Sequence, residues 1–377
     1  MKLQFLLTFL FFSSFSYGQE VIVSSIQHDG IERDYRLFIP SSYDGSAPIS
    51  LVFNFHGFGS NAAEQEFYSD MNRVGEAEGF MICYPNGIEN SWNVGWEFGS
   101  TADDVGFTEA LIDEFSQNYN IDNERVYSCG MSNGGFMSYR LACELNDKIA
   151  AIASVTGSMA PALAMNCNPG RPVSVLQFHG TNDGTVPYEG MMDLNIGIDS
   201  LFNYWNIKNQ CTSDPDTNEV EDINTIDGST AQKISYTNCE FNTEVVLYKI
   251  DMGEHTWPGA FLALGVTNQD VEASEVIWDF FKSKTLSNQT SSNDQISDSD
   301  LDIKIYPNPS NGLINLNEGV NIINYMVFDN YGKMVAHNKF NSPSGTIDLR
   351  FLTRGSYIIQ LNTESGTVAK KIIILEE

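Results

Sequence analysis

Short apolar runs that alternate with helical segments are the feature that most restricts how this chain can fold. Each run is rich in Val, Ile, Phe or Ala and is followed by a turn, as expected of a buried strand. Parallel strands need crossover connections, which are usually helices. The alternation therefore predicts an α/β domain, with a mostly parallel sheet and helices on both faces. The predicted strands are ISLVFNF, FMICYP, RVYSCG, KIAAIASVTG, PVSVLQFHG and EVVLYKIDM.

Two of the connecting segments carry clear helical signals. After the first of these strands, four apolar residues recur at helical spacing and predict one helix: Phe67, Met71, Val74 and Ala77. After the second, the segment DDVGFTEALIDEF predicts a helix that buries Phe107 and Leu111. Either Asp103 or Asp104 can cap that helix at its N-terminus.

Changes in composition divide the chain into four segments. Residues 1–18 begin with Lys2 and a short apolar run, which predicts a secretory signal peptide. Residues 19–283 hold the alternation of strands and helices. Residues 284–302 are rich in Ser, Asn, Asp and Gln, which predicts a flexible linker. Residues 303–377 hold short strand-like runs separated by turns, which predicts a small all-β sandwich.

The net charge of the chain limits the classes of partner that it is expected to bind. It has 49 acidic and 20 basic residues, for a formal net charge of −29. Nucleic acid is excluded as an expected partner, because phosphate backbones are bound by clustered Lys and Arg. The N-terminal apolar run is shorter than the ~20 residues of a spanning helix, so we expect a soluble, exported protein with no membrane span.

The six cysteines fall into two groups. Cys83 and Cys129 lie in strand-like runs and are predicted to be buried free thiols. The other four lie in helix ends and loops, where pairing of Cys143 with Cys167 and of Cys211 with Cys239 would be local in sequence, although connectivity does not follow from sequence alone. No spacing of Cys or His suggests zinc, so no metal is expected.

The stretch GMSNG at Gly130–Gly134 fits the pattern G-x-S-x-G. A strand precedes it and a helical pattern follows it, which is the context that a nucleophile elbow requires. Ser132 is therefore the candidate nucleophile. The alternative is a glycine-rich turn that happens to contain serine.

A serine hydroxyl needs a base and an acid from elsewhere in the chain. His255 follows the last predicted core strand, in a loop before the final helix, and satisfies the chain order of serine, acid, histidine. His28 lies in a hairpin turn and His337 lies beyond the predicted linker. His56 and His179 end strands and are predicted to be structural. Asp183 lies just past a strand end and is the candidate acid.

An oxyanion requires two backbone donors. We expect one to be the N–H of Asn133, directly after the nucleophile, and the other to be the N–H of Phe58 in the loop HGFGSN. Trp92, Trp96 and Trp257 are candidates for contact with substrate. Packing that anchors loops is an equally good interpretation of Trp92 and Trp96.

Five motifs resemble, in the same order, the secreted feruloyl esterase and polyhydroxybutyrate depolymerase group, which is related to the family one carbohydrate esterases. They are HGFGSN, DDVGFTEALID, RVYSCGMSNGGFMSYRLAC, FHGTNDGTVPYEG and HTWPG, within residues 20–283. The resemblance implies an α/β-hydrolase fold and a Ser–Asp–His esterase without metal or cofactor. It carries the three roles onto Ser132, Asp183 and His255. Glu254 departs from the pattern, which has glycine before the histidine.

The expected function is thus a secreted serine carboxylic-ester hydrolase that works through an acyl-enzyme. Its substrates would be ester groups of plant polysaccharides or a polyester, because the resembled group covers both. One alternative is an acetyl xylan esterase. Another, of a different class, is a non-catalytic polymer-binding protein that keeps the hydrolase shell.

The C-terminal segment has its own resemblance. YPNPSNG, FDNYGK, GSYIIQL and KKIIIL resemble the C-terminal sorting domains of proteins exported by type nine secretion in Bacteroidetes. This implies the secretion machinery as a partner, and a final location outside the cell or on its surface. The competing interpretation is a carbohydrate- or polymer-binding sandwich.

Overall fold

The computed structural model describes residues 20–287, 303–317, 322–329, 333–339, 345–363 and 366–375. The predicted signal peptide and most of the predicted linker lie outside the described residues. In that described part of the chain, no helix is both long enough and apolar enough to cross a membrane.

One sheet of ten strands organises residues 20–251, in the order β1-β2-β4-β3-β5-β6-β7-β10-β9-β8. The six central strands, from β4 to β10 in this order, run parallel to one another. The outer strands pair antiparallel. The predicted mostly parallel sheet is therefore confirmed. The strands are β1 (Glu20–His28), β2 (Ile31–Ile39), β3 (Ile49–Phe55), β4 (Met81–Pro85), β5 (Ile121–Met131), β6 (Ala151–Val155), β7 (Ser174–Gly180), β8 (Asp216–Glu219), β9 (Thr230–Tyr236) and β10 (Val245–Asp251).

Helices cover both faces of this sheet, as predicted. Helices α3 to α6 pack with one buried cluster, whereas α1, α2 and α7 pack with a second cluster on the opposite face. Because both faces are covered, every residue of β3 is buried, which explains why its sequence is mostly apolar rather than alternating. The helices are α1 (Ala62–Ser69), α2 (Met71–Glu78), α3 (Asp104–Asn118), α4 (Asn133–Glu144), α5 (Pro161–Asn166), α6 (Ile198–Lys208) and α7 (Ala273–Phe281), with 3-10 turns at Ile88–Asn90 and Glu240–Asn242.

The prediction of a single helix across residues 67–77 is wrong, because the structure has two helices there. Asp70 adopts a left-handed conformation, with φ 48°, and separates α1 from α2. The two helices therefore present different faces to the sheet. Met71 and Val74 are buried, but Phe67 and Ala77 are exposed.

The C-terminal segment forms two antiparallel sheets that share one core. The first has the order β11-β12-β15 and the second β14-β13-β16-β17. Residues from both sheets meet in a single buried cluster, which makes this small domain the predicted sandwich. Its strands are β11 (Ile305–Tyr306), β12 (Leu313–Leu316), β13 (Ile322–Phe328), β14 (Met334–Lys339), β15 (Thr346–Asp348), β16 (Gly355–Thr363) and β17 (Gly366–Ile374).

Two disulfides join loops and helix ends of the larger domain. They pair Cys143 with Cys167 and Cys211 with Cys239, so the local pairing is confirmed. Cys83 and Cys129 are buried free thiols, also as predicted. Each thiol belongs to a different core cluster, on opposite faces of the sheet.

Candidate active site

Ser132 lies in the turn between β5 and α4 in a strained backbone conformation, with φ 54° and ψ −122°. Non-glycine residues seldom adopt this conformation unless the surrounding structure holds them there. Here the Ser132 N–H donates to the Val155 carbonyl at 2.8 Å, and the Ser132 carbonyl accepts the Phe136 N–H at 3.0 Å. A sharp strand-to-helix turn with a strained serine is the geometry of a nucleophile elbow.

Glycines make this turn possible by allowing backbones to approach closely. A Cβ atom on Gly130 would lie 2.6 Å from the Phe55 carbonyl oxygen, and one on Gly134 would lie 2.1 Å from it. Neither position can therefore hold a side chain without moving β3. A Cβ on Gly57 would lie 3.5 Å from the Cβ of Ser132. The loop after β3 thus passes directly beside the candidate nucleophile.

Asp183 and His255 form a hydrogen-bonded pair. The Nδ1 of His255 lies 2.7 Å from Oδ2 of Asp183. The other oxygen of Asp183 accepts the N–H groups of Thr185 and Val186, each at 2.8 Å. Burial raises the pKa of Asp183, but the hydrogen bond and charge of His255 outweigh it, so the net pKa is lowered. The ionised carboxylate accepts a hydrogen bond from Nδ1–H of His255. In the neutral imidazole this arrangement leaves Nε2 without a proton and able to accept one.

Strand order brings these residues to one edge of the sheet. Strands β5, β6, β7 and β10 are consecutive and parallel, so their carboxyl ends lie side by side. Ser132 directly follows β5, Asp183 follows the end of β7, and His255 follows the end of β10. The Asp183–His255 pair and the strained serine therefore occupy the same edge, where ligand sites of such sheets are usually found.

His56 and His179 are buried and make structural hydrogen bonds. His56 bonds to the backbone of Gly57 and Gly87, and His179 bonds to the carbonyl of Val186. Burial lowers the pKa of each to about 4, so both are neutral near neutral pH. His179 Nε2 also lies 3.5 Å from Oδ2 of Asp183, but His255 Nδ1 lies at 2.7 Å and is the hydrogen-bonded partner of the candidate acid.

Asn133 is the first residue of α4, and its side chain makes two hydrogen bonds to the backbone of Trp92. Its Oδ1 accepts the Trp92 N–H at 2.7 Å, and its Nδ2 donates to the Trp92 carbonyl at 3.3 Å. The Phe58 side chain is 54% exposed.

Two of the three tryptophans predicted to contact substrate are buried, which contradicts that role. Trp92 and Trp257 are each 1% exposed. The indole of Trp92 donates to the His56 carbonyl, and that of Trp257 donates to the hydroxyl of Ser274. Both side chains anchor loops, because their large rings fill space beneath the surface.

Trp96 is only half-buried and belongs to an aromatic group at the surface. Its ring stacks on Phe98 with centroids 4.9 Å apart and meets Phe136 edge-on at 4.8 Å. Phe98 in turn contacts Phe58 at 6.1 Å. Phe98 is 52% exposed. Sequence reasoning missed Phe98, although its position two residues after Trp96 in an aromatic loop was a usable signal.

A buried ion pair holds the loop that carries these aromatic residues. Arg33 donates to Oδ1 of Asp104 at 2.6 Å, and Oδ2 of Asp104 accepts the Asn93 N–H at 2.7 Å. Both charged side chains are almost completely buried. The neighbouring Asp103 is the helix cap, since its Oδ1 accepts the Gly106 N–H. The two aspartates thus have separate tasks that the sequence did not distinguish.

Replacement of Asp104 by alanine is expected to lower the free energy of unfolding by about 3–5 kcal/mol, because Arg33 would remain buried without its partner. Urea unfolding at neutral pH measures the change. Replacement of Asp103 by alanine is the matched control and is expected to cost about 1 kcal/mol, since it removes a cap and a part-exposed hydrogen bond to His28 but leaves no buried charge unpaired. Equal losses in the two variants would contradict the importance of the buried pair.

Glu254, the departure from the expected glycine, is occupied within its own loop. Its carboxylate accepts the Val266 N–H at 3.1 Å, and its N–H donates to the Val266 carbonyl at 3.0 Å. It therefore closes the loop that follows His255. Among the described residues, no group of three or more His, Cys, Asp or Glu side chains is arranged to hold a metal ion.

Two families match the chain in separate segments. Residues 100–220 match the family described as Phospholipase/Carboxylesterase, a segment that contains Ser132 and Asp183. Residues 304–375 match the family described as secretion system C-terminal sorting domain.

Curated relatives include several feruloyl esterases. The chain is 29% identical over 229 residues to feruloyl esterase B of Piromyces equi, covering 57% of this chain and 41% of that protein. It is 31% identical to feruloyl esterase C of Emericella nidulans, covering 43% of this chain and 59% of that protein. The chain thus spans less than two thirds of the length of both relatives.

The fold agrees with a solved structure of low sequence identity. The acetyl xylan esterase from Aspergillus awamori is 12% identical, with a TM-score of 0.52, and the match covers 69% of this chain and 99% of that chain. Together with the sheet order and the strained serine turn, these likenesses identify the architecture. The chain combines an α/β-hydrolase fold, related in sequence to the feruloyl esterases, with a C-terminal β domain that matches the family of secretion system C-terminal sorting domains.

Proposed function

We propose that this protein is a serine carboxylic-ester hydrolase in which Ser132 is the nucleophile, His255 the base and Asp183 the acid. The observation that carries the proposal is the hydrogen bond between the buried Asp183 and the part-exposed His255, at the same sheet edge as the strained Ser132 turn. A base oriented by a buried carboxylate is what an unactivated hydroxyl requires.

In the proposed reaction, Ser132 Oγ attacks the ester carbonyl carbon while His255 accepts its proton. The oxyanion of the tetrahedral intermediate accepts hydrogen bonds from the Phe58 and Asn133 amides. His255 then gives its proton to the departing alcohol, which leaves an acyl-enzyme. Water repeats the sequence and releases the acid, so that the enzyme returns to its starting state.

An aromatic acyl group is the substrate feature that the surface favours. Trp96, Phe98 and Phe58 form a continuous aromatic face, and Phe58 lies next to Gly57, which borders Ser132. A planar aromatic ring gains stacking and apolar burial on such a face, whereas an acetyl group is too small to use it. The feruloyl esterases among the relatives are consistent with this choice.

The C-terminal domain supports export as the second part of the proposal. Its match to the sorting-domain family favours delivery by type IX secretion to the cell surface or the medium. Mass spectrometry of the secreted protein tests this, because a sorting tail is expected to be removed. A tail retained on all secreted molecules would favour the polymer-binding alternative.

A parallel hydrolysis panel tests the substrate. Methyl ferulate, acetylated xylan and a polyhydroxybutyrate suspension would be compared, with the Ser132→Ala protein as blank. We expect methyl ferulate to have the highest kcat/KM. Preference for acetylated xylan would replace the feruloyl assignment with the acetyl one. A fluorophosphonate probe that fails to label the wild-type protein would favour a non-catalytic shell.

Replacement of Phe98 by alanine is expected to lower kcat/KM for methyl ferulate about tenfold, mainly through KM, because an aromatic contact of about 1.4 kcal/mol is lost. Hydrolysis of an aryl acetate is expected to change less than twofold, which initial-rate kinetics would measure. Phe351→Ala, which removes a similarly exposed ring from the C-terminal domain, is the control. Equal losses on both esters would contradict an acyl-binding role for Phe98.

A further inference from the structure

We propose that His56 is a positioning residue that fixes the direction of the Phe58 N–H beside Ser132. The inference rests on the proposed function, in which that N–H stabilises the oxyanion. His56 is fully buried at the end of β3, immediately before the loop that passes Ser132. Its side chain would not contact the reacting atoms and would act on them only through the backbone to which it is hydrogen-bonded.

The hydrogen bonds of His56 determine which of its nitrogens carries the proton. The Gly87 N–H donates to Nε2 at 3.0 Å, and a backbone N–H can only donate. Nε2 is therefore unprotonated, and the single proton of the neutral ring lies on Nδ1. That nitrogen lies 2.7 Å from the Gly57 carbonyl oxygen and donates to it. Burial lowers the pKa of His56 to about 4, so this tautomer persists at neutral pH.

The Gly57 carbonyl and the Phe58 N–H belong to one peptide unit. Because a trans peptide is planar, its C=O and N–H point in opposite directions. Holding the Gly57 oxygen therefore fixes the direction of the Phe58 N–H. The only other donor recorded for this oxygen among the described residues is the Ser60 N–H, at 3.1 Å, which belongs to the same short turn.

Trp92 connects His56 to the second proposed oxyanion donor. Its indole N–H donates to the His56 carbonyl at 2.9 Å, and its backbone N–H donates to the Asn133 side chain at 2.7 Å. The His56 and Trp92 rings also pack with centroids 4.8 Å apart. One buried unit thus holds the segments of both amides, the loop after β3 and the start of α4.

Two substitutions of His56 separate the bond to Gly57 from the bond to Gly87. His56→Asn places an amide nitrogen where Nδ1 stands and keeps the donor to Gly57. His56→Gln places its amide farther out, where Nε2 stands, and keeps the acceptor for Gly87. Both variants remove the ring and one hydrogen bond, so a purely structural role predicts similar losses of stability and activity in the two.

The positioning role predicts a different result. We expect His56→Gln to lower kcat for an aryl ester about 10²-fold with little change in KM, as expected when an oxyanion donor is misplaced. His56→Asn is expected to retain kcat within about fivefold, since the Gly57 bond is kept. Binding of a trifluoromethyl ketone, which forms a tetrahedral adduct, is expected to weaken in parallel with kcat. Equal kcat values in the two variants, or losses that follow only their Tm, would overturn the role of His56.

Trp92→Phe provides a second test if a His56 variant does not fold. It keeps an aromatic ring but removes the donor to the His56 carbonyl, and we expect kcat to fall about tenfold at unchanged KM. An unchanged kcat would contradict the claim that Trp92 and His56 together position the two oxyanion donors. The Ser132→Ala variant distinguishes a failure of this inference from a failure of the proposed function. Activity that survives in Ser132→Ala would reject Ser132 as the nucleophile, whatever the results for the His56 variants.

Discussion

Replacement of Ser132 by alanine is expected to lower kcat for methyl ferulate by about 10⁴-fold or more, because no acyl-enzyme can form without the hydroxyl. The backbone at this position is held by hydrogen bonds to Val155 and Phe136 and by the close approach of Gly130 and Gly134 to β3. These contacts do not involve the hydroxyl. The variant should therefore fold normally and fail only in chemistry, which initial-rate kinetics and a melting curve would measure together.

Ser128→Ala is the matched control for this experiment. Ser128 lies in the same motif, is buried, and donates its hydroxyl to Ser138 rather than to any group of the site. Its loss is expected to leave kcat within about twofold and to cost about 1 kcal/mol of stability. A fluorophosphonate should label the wild type and Ser128→Ala but not Ser132→Ala. Substantial hydrolysis by Ser132→Ala would reject the proposed nucleophile.

The second large expected effect is a loss of stability between pH 7 and pH 4. His56 and His179 are buried, and burial lowers the pKa of each from 6.5 to about 4. In the unfolded chain both regain an ordinary pKa and bind protons below about 6.5. The unfolded state thus holds more protons than the folded state between these values, so the free energy of unfolding falls as the pH falls through this window. Each histidine contributes roughly 3 kcal/mol to the loss.

Urea unfolding, monitored by tryptophan fluorescence, measures this effect in the α/β domain, which contains both histidines. All five tryptophans lie between residues 92 and 278, within the α/β domain. His179→Gln removes one of the two titrations and is expected to reduce the pH dependence by about half. His337→Gln, at an exposed position of the C-terminal domain, is the control and should leave it unchanged. A free energy of unfolding that stays constant from pH 7 to pH 4.5 would contradict the prediction.

The parts of the site that obey local rules were predictable from the sequence. The strand-turn-helix context of Ser132 and the chain order that selected Asp183 and His255 depend on a few neighbouring residues and on topology. The Asp183–His255 bond fits that selection. The contribution of the three together to catalysis stays a prediction.

The parts that depend on packing were not predictable. Trp92 and Trp257 lie in loops beside the site, and nothing in their local sequence shows that their rings point inward. The break at Asp70 was missed because the left-handed residue leaves the apolar spacing nearly intact. The pairing of Arg33 with Asp104 joins residues far apart in sequence, so only the folded chain reveals it.

The placement of the two free thiols has a consequence for oxidative folding. Phe53 of β3 is in register with Cys83 on one side and with Ser128 on the other. Side chains alternate between faces along a strand, so Cys129 points to the face opposite Cys83. Once the sheet has formed, its backbone separates the two sulfurs. An oxidant then has access only to the four cysteines in the loops and helix ends. Wrong disulfides that involve Cys83 or Cys129 are thus confined to the time before the sheet forms.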